Sequence, residues 1–163
     1  MALLKIFKTK ITFIKILDMS NTIKGGEFLI KDVLAQDIFT YEELSEEQRM
    51  LRDSAKEFID REVIPNKHRF ENKDYAFTEE IMRKLGEMGM LGIAVPESYG
   101  GMGMGFVSTM LACDYLSGAT GSLATAYGAH TGIGTLPVLL YGNEDLKNKY
   151  LPDLAAGTKF GAY

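Results

Sequence analysis

Apolar residues recur at helical spacing along most of this chain, in stretches that begin at capping residues and end at glycine or proline. The first stretch begins at Ser45, where Ser45 to Gln48 has the form of a capping box, and we expect it to end at Pro65. One face of this helix carries Leu51, Ala55, Phe58, Ile59 and Val63. The pattern is typical of a helical domain with one core.

Three further helices follow from similar signals. Thr78 is the predicted N-cap of the second, with Glu79 and Glu80 in its first turn and Gly89 at its end. Its buried face is predicted to comprise Ile81, Met82, Leu85 and Met88. Another helix is expected from about Phe106 to Leu116. The last begins at the N-cap Asn143 and leaves through Gly157, with Leu146, Tyr150, Leu151 and Leu154 along it and Pro152 bending it.

Composition excludes several classes of function. The chain has 163 residues, of which 46% are apolar and 25% charged, and its formal charge is -4. Because nucleic-acid grooves need clustered basic residues, we expect no nucleic-acid partner. The single Cys113 fits a reducing compartment and is interpreted as a small core residue. No second histidine or cysteine lies at metal-binding distance from His130, so we expect no metal site.

Residues 1–18 differ from the rest because they carry Lys5, Lys8, Lys10 and Lys15 without an acid before Asp18. These lysines leave neither a membrane span nor the apolar run of a signal peptide. A membrane-surface or targeting segment is one interpretation, and an over-extended start before Met19 is the one we favour. Residues 1–44 are then a leader and an extended arm, and the protein is expected in the cytoplasm.

A glycine-rich loop runs from Pro96 to Gly105. It does not fit the dinucleotide-binding fingerprint, because Phe106 stands where a third glycine belongs and no βαβ unit surrounds it. We therefore interpret it as a loop that packs tightly against a neighbouring segment.

The stretch from Ser122 to Tyr141 reads as a long buried helix that contains Gly128, Gly132, Gly134 and Pro137. Each glycine costs about 1 kcal/mol relative to alanine, so a compensating reason is needed. Close packing between helices is one reason, and a groove for a long apolar ligand beside the small side chains is the other. The sequence leaves both open. His130, in the same helix, is interpreted as a hydrogen-bonded structural residue rather than a base.

The end of the chain, Phe160 to Tyr163, reads as the beginning of a strand. Strands are normally paired or covered, so we expect partners further on and interpret the chain as the front part of a larger protein.

Three segments in collinear order resemble the N-terminal helical domain of acyl-CoA dehydrogenases, especially the long-chain and very-long-chain branch. They are Pro96 to Gly103, Gly128-Ala129-His130, and Gly142 to Gly157. The resemblance implies an all-α, orthogonal bundle of about five to six helices over residues 45–157. It also implies that residues 158–163 begin a strand of an FAD-binding β-domain.

In this family a C-terminal glutamate removes the α-proton of an acyl-CoA thioester while the β-hydrogen passes as hydride to FAD, and electrons then go to an electron-transfer flavoprotein. The resemblance thus implies these partners, FAD as cofactor, and a homo-oligomer for the full-length protein. No residue here matches the glutamate, so no catalytic residue is assigned and this chain alone is expected to be inactive. Tyr163 matches the first tyrosine of the flavin-contacting segment. We expect the isolated chain to lose the flavin.

Medium-chain relatives place larger polar side chains near the floor of the acyl pocket. Here the corresponding candidates are Ala126, Gly128, Ala129 and Gly132, which implies a deeper pocket and a long acyl chain. Two alternatives remain: a related flavoenzyme that uses oxygen, such as an acyl-CoA oxidase or a flavin monooxygenase, and a stand-alone helical binding module.

Overall fold

The computed structural model describes residues 29–30, 32 and 41–162. Contacts divide the chain into two compact units, Met1–Glu43 and Leu44–Tyr163. In the first unit the described part comprises the exposed residues 29–30 and 32 and a 3-10 turn, Tyr41–Glu43. The segment 1–18, most of the arm, and Tyr163 lie outside the described residues, so what the sequence predicts for them stays a prediction.

All regular structure in the described part of the second unit is helical. The α-helices are α1 (Glu46–Phe58), α2 (Lys67–Glu71), α3 (Tyr75–Glu87), α4 (Gly105–Ser117), α5 (Gly121–Gly128), α6 (Leu136–Tyr141) and α7 (Glu144–Ala155). Two π-helical segments, Ile59–Val63 and Ala129–Thr135, continue α1 and join α5 to α6. Counted together with these two segments, the described part of the chain contains five long helices. The predicted all-α fold is confirmed.

The first helix begins as the sequence predicts. The Ser45 amide donates to Gln48 Oε1 at 3.0 Å, and the Gln48 amide donates to Ser45 Oγ at 3.1 Å, which completes the capping box. The helix with its π-helical continuation ends at Val63, two residues before the predicted end at Pro65. The chain passes through a 3-10 turn, Ile64–Asn66, into α2, because a proline early in a new turn needs no amide.

The predicted start of α3 is wrong. Asp74, not Thr78, is the N-cap: its carboxylate accepts from the Phe77 amide at 3.0 Å and from Arg69 Nε at 2.9 Å. Thr78 lies in the first turn and donates its hydroxyl to Asp74 O. A charged cap complements the helix dipole, and both bonds hold the pKa of Asp74 below its usual range. Met88, predicted to be buried, is 40% exposed.

The main core lies among α1 to α5 and the segment after α3. Its largest fully buried side chain is Tyr127, whose hydroxyl donates to Met90 O at 3.0 Å. Burial raises the pKa of this phenol far above its usual range, so Tyr127 remains a neutral donor. At one end of the core, the Phe70 and Phe77 rings meet edge to face with centroids 5.1 Å apart.

The glycine-rich loop folds back on the segment Gly92–Val95, which confirms the predicted tight packing. The amides of Met102, Gly103 and Met104 donate to the carbonyls of Gly92, Val95 and Ile93, each at 2.9 Å. At Gly101 a Cβ atom would lie 2.0 Å from Val95 O, so no larger residue fits there. The loop therefore fixes where α4 begins.

Helix α4 buries an unexpected face. Phe106, Val107 and Met110 are exposed, whereas Ser108 and Thr109 are buried. Their hydroxyls donate to Met104 O and Gly105 O at 3.1 Å, which makes the burial of these polar atoms acceptable. Cys113, on the same helix, is half-buried against the core, as a small packing residue would be.

Helix α7 begins and ends as predicted. The Leu146 amide donates to Asn143 Oδ1 at 2.9 Å, and Gly157 leaves the helix with φ at +70°. Leu151 is buried, but Leu146 is 45% exposed. Residues 160–162 show no regular structure, so the strand predicted there is absent from the described residues. A strand requires backbone partners, and the Gly161 amide instead bonds a histidine side chain.

Candidate functional site

Most of the candidate residues predicted from the sequence lie on one helical rod. This rod consists of α5, the π-helical segment Ala129–Thr135 and α6. Thr120 caps it, accepting from the Ser122 amide at 3.2 Å. Pro137 lies in the first turn of α6, directly after the π-helical segment. The wider π turns precede the proline, and such segments often occur at functional sites. The expected long helix is therefore interrupted rather than simply kinked.

One side of this rod is open. A Cβ atom built on Gly128 or on Gly132 would meet no atom within 4 Å outside its own neighbourhood. Gly132 lines a groove between this rod, the start of α4 and the segment after α3. The groove has a cavity volume of about 30 Å³. We call it the apolar groove; its walls include Ile93, Val95, Phe106, Met110, Gly132 and Leu139.

The lining of the apolar groove is apolar rather than charged. Its polar atoms in the described residues come from the hydroxyls of Thr109, Thr131 and Thr135, together with backbone atoms. The hydroxyls of Thr109, Thr131 and Thr135 already donate to backbone carbonyls. Apolar walls with few polar groups are typical of ligand grooves. No acidic or basic side chain of the described residues lines this groove, so the groove supplies no charged proton acceptor of its own.

The structure separates the four pocket candidates of the sequence. Gly132 lines the apolar groove. Ala126 is partly buried and packs against the main core. Gly128 and Ala129 are half-buried and do not border the apolar groove within the described residues. The candidates thus share one rod but not one cavity.

The other side of the rod is closed, and His130 lies at its centre with 1% exposure. Its Nε2 lies 3.0 Å from Leu154 O, and its Nδ1 lies 3.1 Å from the Gly161 amide nitrogen. A carbonyl can only accept and an amide can only donate, so Nε2 carries the proton and Nδ1 is bare. Burial lowers the pKa of His130 below its ordinary value, against a smaller opposing effect of the Leu154 carbonyl. His130 is a neutral structural residue, as the sequence indicates.

Gly134 also faces this closed side. A Cβ atom on Gly134 would lie 2.5 Å from Gly161 Cα, and one on Gly161 would lie 2.7 Å from Gly134 Cα. Close packing, one of the two alternatives that the sequence left open for the glycines, therefore occurs at Gly134, whereas a groove for a long apolar ligand stays a prediction. Gly134 permits close packing, whereas Gly128 and Gly132 face open space.

The sequence indicated only the wall of the apolar groove to which Gly132 belongs. It did not indicate the walls formed by the start of α4 and by the segment after α3. Phe106 and Met110 lie in the helix predicted from about Phe106 to Leu116, where their apolar character does not distinguish a groove from a core, and Ile93 belongs to a segment without periodicity. The contact between His130 and Gly161 was also missed, since it joins residues 31 positions apart. The sequence offered one signal, which is the free-energy cost of three glycines in a helix. This cost indicates close neighbours but does not identify them.

The described residues hold neither a metal-binding cluster nor a membrane-spanning helix. No group of three or more histidine, cysteine, aspartate or glutamate side chains within 41–162 is arranged to hold a metal ion. In the same part of the chain, no helix has the length and apolar character that crossing a membrane requires.

Comparison with known proteins identifies the domain. The sequence profile described as "Acyl-CoA dehydrogenase, N-terminal domain" matches residues 45–158. A probable acyl-CoA dehydrogenase of Bacillus subtilis is 41% identical over 140 residues, which are 86% of this chain and 23% of that protein. A mitochondrial isovaleryl-CoA dehydrogenase of Pongo abelii is 36% identical, over 73% of this chain and 28% of its own length.

Among solved structures, an acyl-CoA dehydrogenase of Bacillus anthracis complexed with FAD superposes with a TM-score of 0.80 at 41% identity. The match covers 86% of this chain and 24% of that one. The chain thus spans about a quarter of the length of these relatives. By the profile match and by these similarities, the chain belongs to the acyl-CoA dehydrogenase family, through its N-terminal helical domain.

Proposed function

We propose that this chain supplies the N-terminal domain of an FAD-dependent acyl-CoA dehydrogenase that catalyses α,β-dehydrogenation of an acyl-CoA. The observation that supports this most is the apolar groove itself, in a domain of this family. A dry, apolar wall excludes water from a reacting thioester and strengthens the hydrogen bonds that polarise it. In this proposal the domain contributes the wall, and the reacting groups come from other parts of the enzyme.

The described residues alone do not fit FAD. A flavin dinucleotide carries a diphosphate, which proteins bind with backbone amides at helix N-termini or with cationic side chains. The apolar groove presents neither among its described lining, so no step is assigned through the flavin here. Tyr163 remains the proposed flavin contact. We accordingly expect this chain by itself to be colourless and without activity.

We further propose a long acyl chain as the substrate, with Ala126, Gly128, Ala129 and Gly132 as the small residues that leave room for it. Gly132 is the best supported of the four, because it both lines the apolar groove and lacks a neighbour within 4 Å. A groove with apolar walls gains about 0.8 kcal/mol for each buried methylene, so a long chain that fits is favoured over a short one. An electron-transfer flavoprotein as acceptor, a homo-oligomeric enzyme and a cytoplasmic location complete the proposal.

The test uses the product of the gene read beyond Tyr163, purified with its flavin. It should reduce electron-transfer flavoprotein with palmitoyl-CoA at a higher kcat/KM than with butyryl-CoA or isovaleryl-CoA, without consuming oxygen. Faster turnover of butyryl-CoA would contradict the proposal that the substrate carries a long acyl chain. Oxygen consumption in place of flavoprotein reduction would indicate an oxidase or a monooxygenase.

Gly132→Val sharpens the same test, because its side chain would enter the apolar groove. We expect kcat/KM for palmitoyl-CoA to fall by about 5- to 30-fold, as a loss of one or two kcal/mol of chain binding implies. The value for butyryl-CoA should change less. Leu146→Val, at an exposed residue of α7 outside the groove lining, is the matched control and should leave the ratio unchanged.

A further inference from the structure

The residues after α7 are held against the π-helical segment by a side chain with a defined proton. We call Thr158 to Ala162 the exit segment. The Gly161 amide donates to His130 Nδ1 at 3.1 Å, while His130 Nε2 donates to Leu154 O at 3.0 Å. One imidazole therefore connects three parts of the fold: the π-helical segment, the end of α7 and the exit segment. Because each nitrogen has a fixed role, only one tautomer makes both bonds.

Packing around Phe160 supports this connection. The Phe160 and His130 rings meet edge to face, with centroids 5.8 Å apart and planes at 75°. The Arg83 guanidinium lies 5.6 Å from the centre of the Phe160 ring and donates through Nη1 to Gly157 O at 3.4 Å. Phe160 is still 40% exposed, so burial alone does not explain its position.

The backbone contact between Gly134 and Gly161 adds a third restraint. Neither residue can carry a Cβ atom without displacing the other, since the built atoms come within 2.5 Å and 2.7 Å of the opposite Cα. This contact brings the Gly161 amide within reach of Nδ1. A half-buried amide without an acceptor would be destabilising, and the imidazole supplies that acceptor.

We propose that His130 is a positioning residue whose bare Nδ1 fixes the direction in which the chain leaves the helical domain at Gly161. A purely space-filling side chain would leave the Gly161 amide without its acceptor, and the exit segment has no strand or helix of its own to replace that bond. The consequence for catalysis rests on the proposed function, in which the following residues approach the substrate and the flavin. The positioning of the exit segment by His130 does not depend on the proposed function.

The experiment compares two substitutions in the full chain, each of which retains one of the two bonds. His130→Asn places an amide oxygen near the position of Nδ1 and keeps an acceptor for Gly161. His130→Gln reaches the position of Nε2 and keeps a donor to Leu154 O. Amide hydrogen exchange of Gly161, followed by NMR, should be slow in the wild type and in His130→Asn. It should be about tenfold faster in His130→Gln, as loss of one hydrogen bond implies.

Two controls keep the comparison interpretable. Exchange of the Leu146 amide, which bonds Asn143 Oδ1, should be equal in all three proteins if the domain remains folded. Brief trypsin treatment followed by mass spectrometry should show cleavage after Lys159 in His130→Gln before the other two. Equal exchange at Gly161 and equal cleavage in both variants would overturn the inference.

A measurement on the wild type does not depend on either variant folding. The two-bond proton–nitrogen spectrum of the imidazole should show a bare Nδ1 and a protonated Nε2 for His130. A proton on Nδ1 would contradict the proposal, because that nitrogen could not then accept from Gly161.

In the product read beyond Tyr163, His130→Gln should lower kcat by up to about 100-fold with little change in KM, since small misplacements of reacting groups have such effects. His130→Asn should retain most of the activity. If the wild-type product has no dehydrogenase activity, the proposed function fails while the exchange result stands. If Gly161 exchanges alike in both variants while the wild type is active, the positioning role fails and the proposed function stands.

Discussion

Two glycines of one rod, Gly132 and Gly134, lie two positions apart and meet opposite surroundings. Gly132 borders open space in the apolar groove, whereas Gly134 touches the backbone of Gly161. The same residue type therefore has two structural roles: on one face it leaves open space, and on the other it allows two segments to approach. The comparison teaches that a small-residue helix need not be either a groove or an interface, because its faces can differ.

The largest expected effect comes from filling the closed face. Gly134→Ala would place a Cβ atom 2.5 Å from Gly161 Cα, and the neighbour is backbone rather than a flexible side chain. Forcing such an atom into a packed contact typically costs about 1–3 kcal/mol, which exceeds the helix-propensity gain of alanine. Urea unfolding of the variant, followed by circular dichroism, should show a lower midpoint. A midpoint equal to that of Gly132→Ala would remove the distinction between the two faces.

The next effect is a pH dependence of the free energy of unfolding, which arises from His130 on the closed face. Burial lowers the pKa of His130 from an ordinary value of about 6.5, so the unfolded state takes up the proton first as the pH falls. The contribution of neutral His130 is therefore fully present above that ordinary value and declines as the pH falls below it. One proton limits the slope to about 1.4 kcal/mol per pH unit.

His130→Asn isolates this dependence, because it removes the titrating group and keeps an acceptor for Gly161. The Arg83 guanidinium lies over the Phe160 ring, which meets the imidazole edge to face, and it is present in both proteins. The free energy of unfolding, measured by urea titration between pH 7 and pH 5, should fall more steeply for the wild type. Parallel curves would show that His130 does not titrate differently in the two states.

The smallest effect is a gain at the open face. Gly132→Ala and Gly128→Ala add a methyl group that meets no atom within 4 Å, and neither glycine has a positive φ. Each should stabilise the domain by up to about 1 kcal/mol, through helix propensity and a restricted unfolded chain. Thermal unfolding should record a small rise in Tm. A loss of stability at either position would mean that the open face is filled in solution.

Local signals predicted the parts of the fold that depend on neighbours in sequence. The capping box at Ser45 and the cap at Asn143 were identified because both partners lie within a few residues. The start of α3 was missed since Asp74 and Thr78 are both good caps, and the choice depends on Arg69 and on the burial of Phe77. Propensity alone cannot rank two such candidates.

Features that depend on distant residues were beyond the sequence. The π-helical segments precede Pro65 and Pro137, and nothing in their composition distinguishes a π turn from a simple kink. Which glycine packs and which stays open is decided by Gly161, far along the chain. Similarly, Phe106 and Met110 are apolar like core residues, yet they border the groove because the loop before α4 sets the helix's orientation.

That loop has a kinetic consequence. Its three backbone hydrogen bonds join Gly92, Ile93 and Val95 to residues only about ten positions later, so little chain entropy is lost when the ends meet. Contacts of such short range form on a fast timescale compared with the assembly of distant helices. The turn that positions α4 can thus form before the remaining helices pack together. Those helices can then pack against a part of the domain that is already folded.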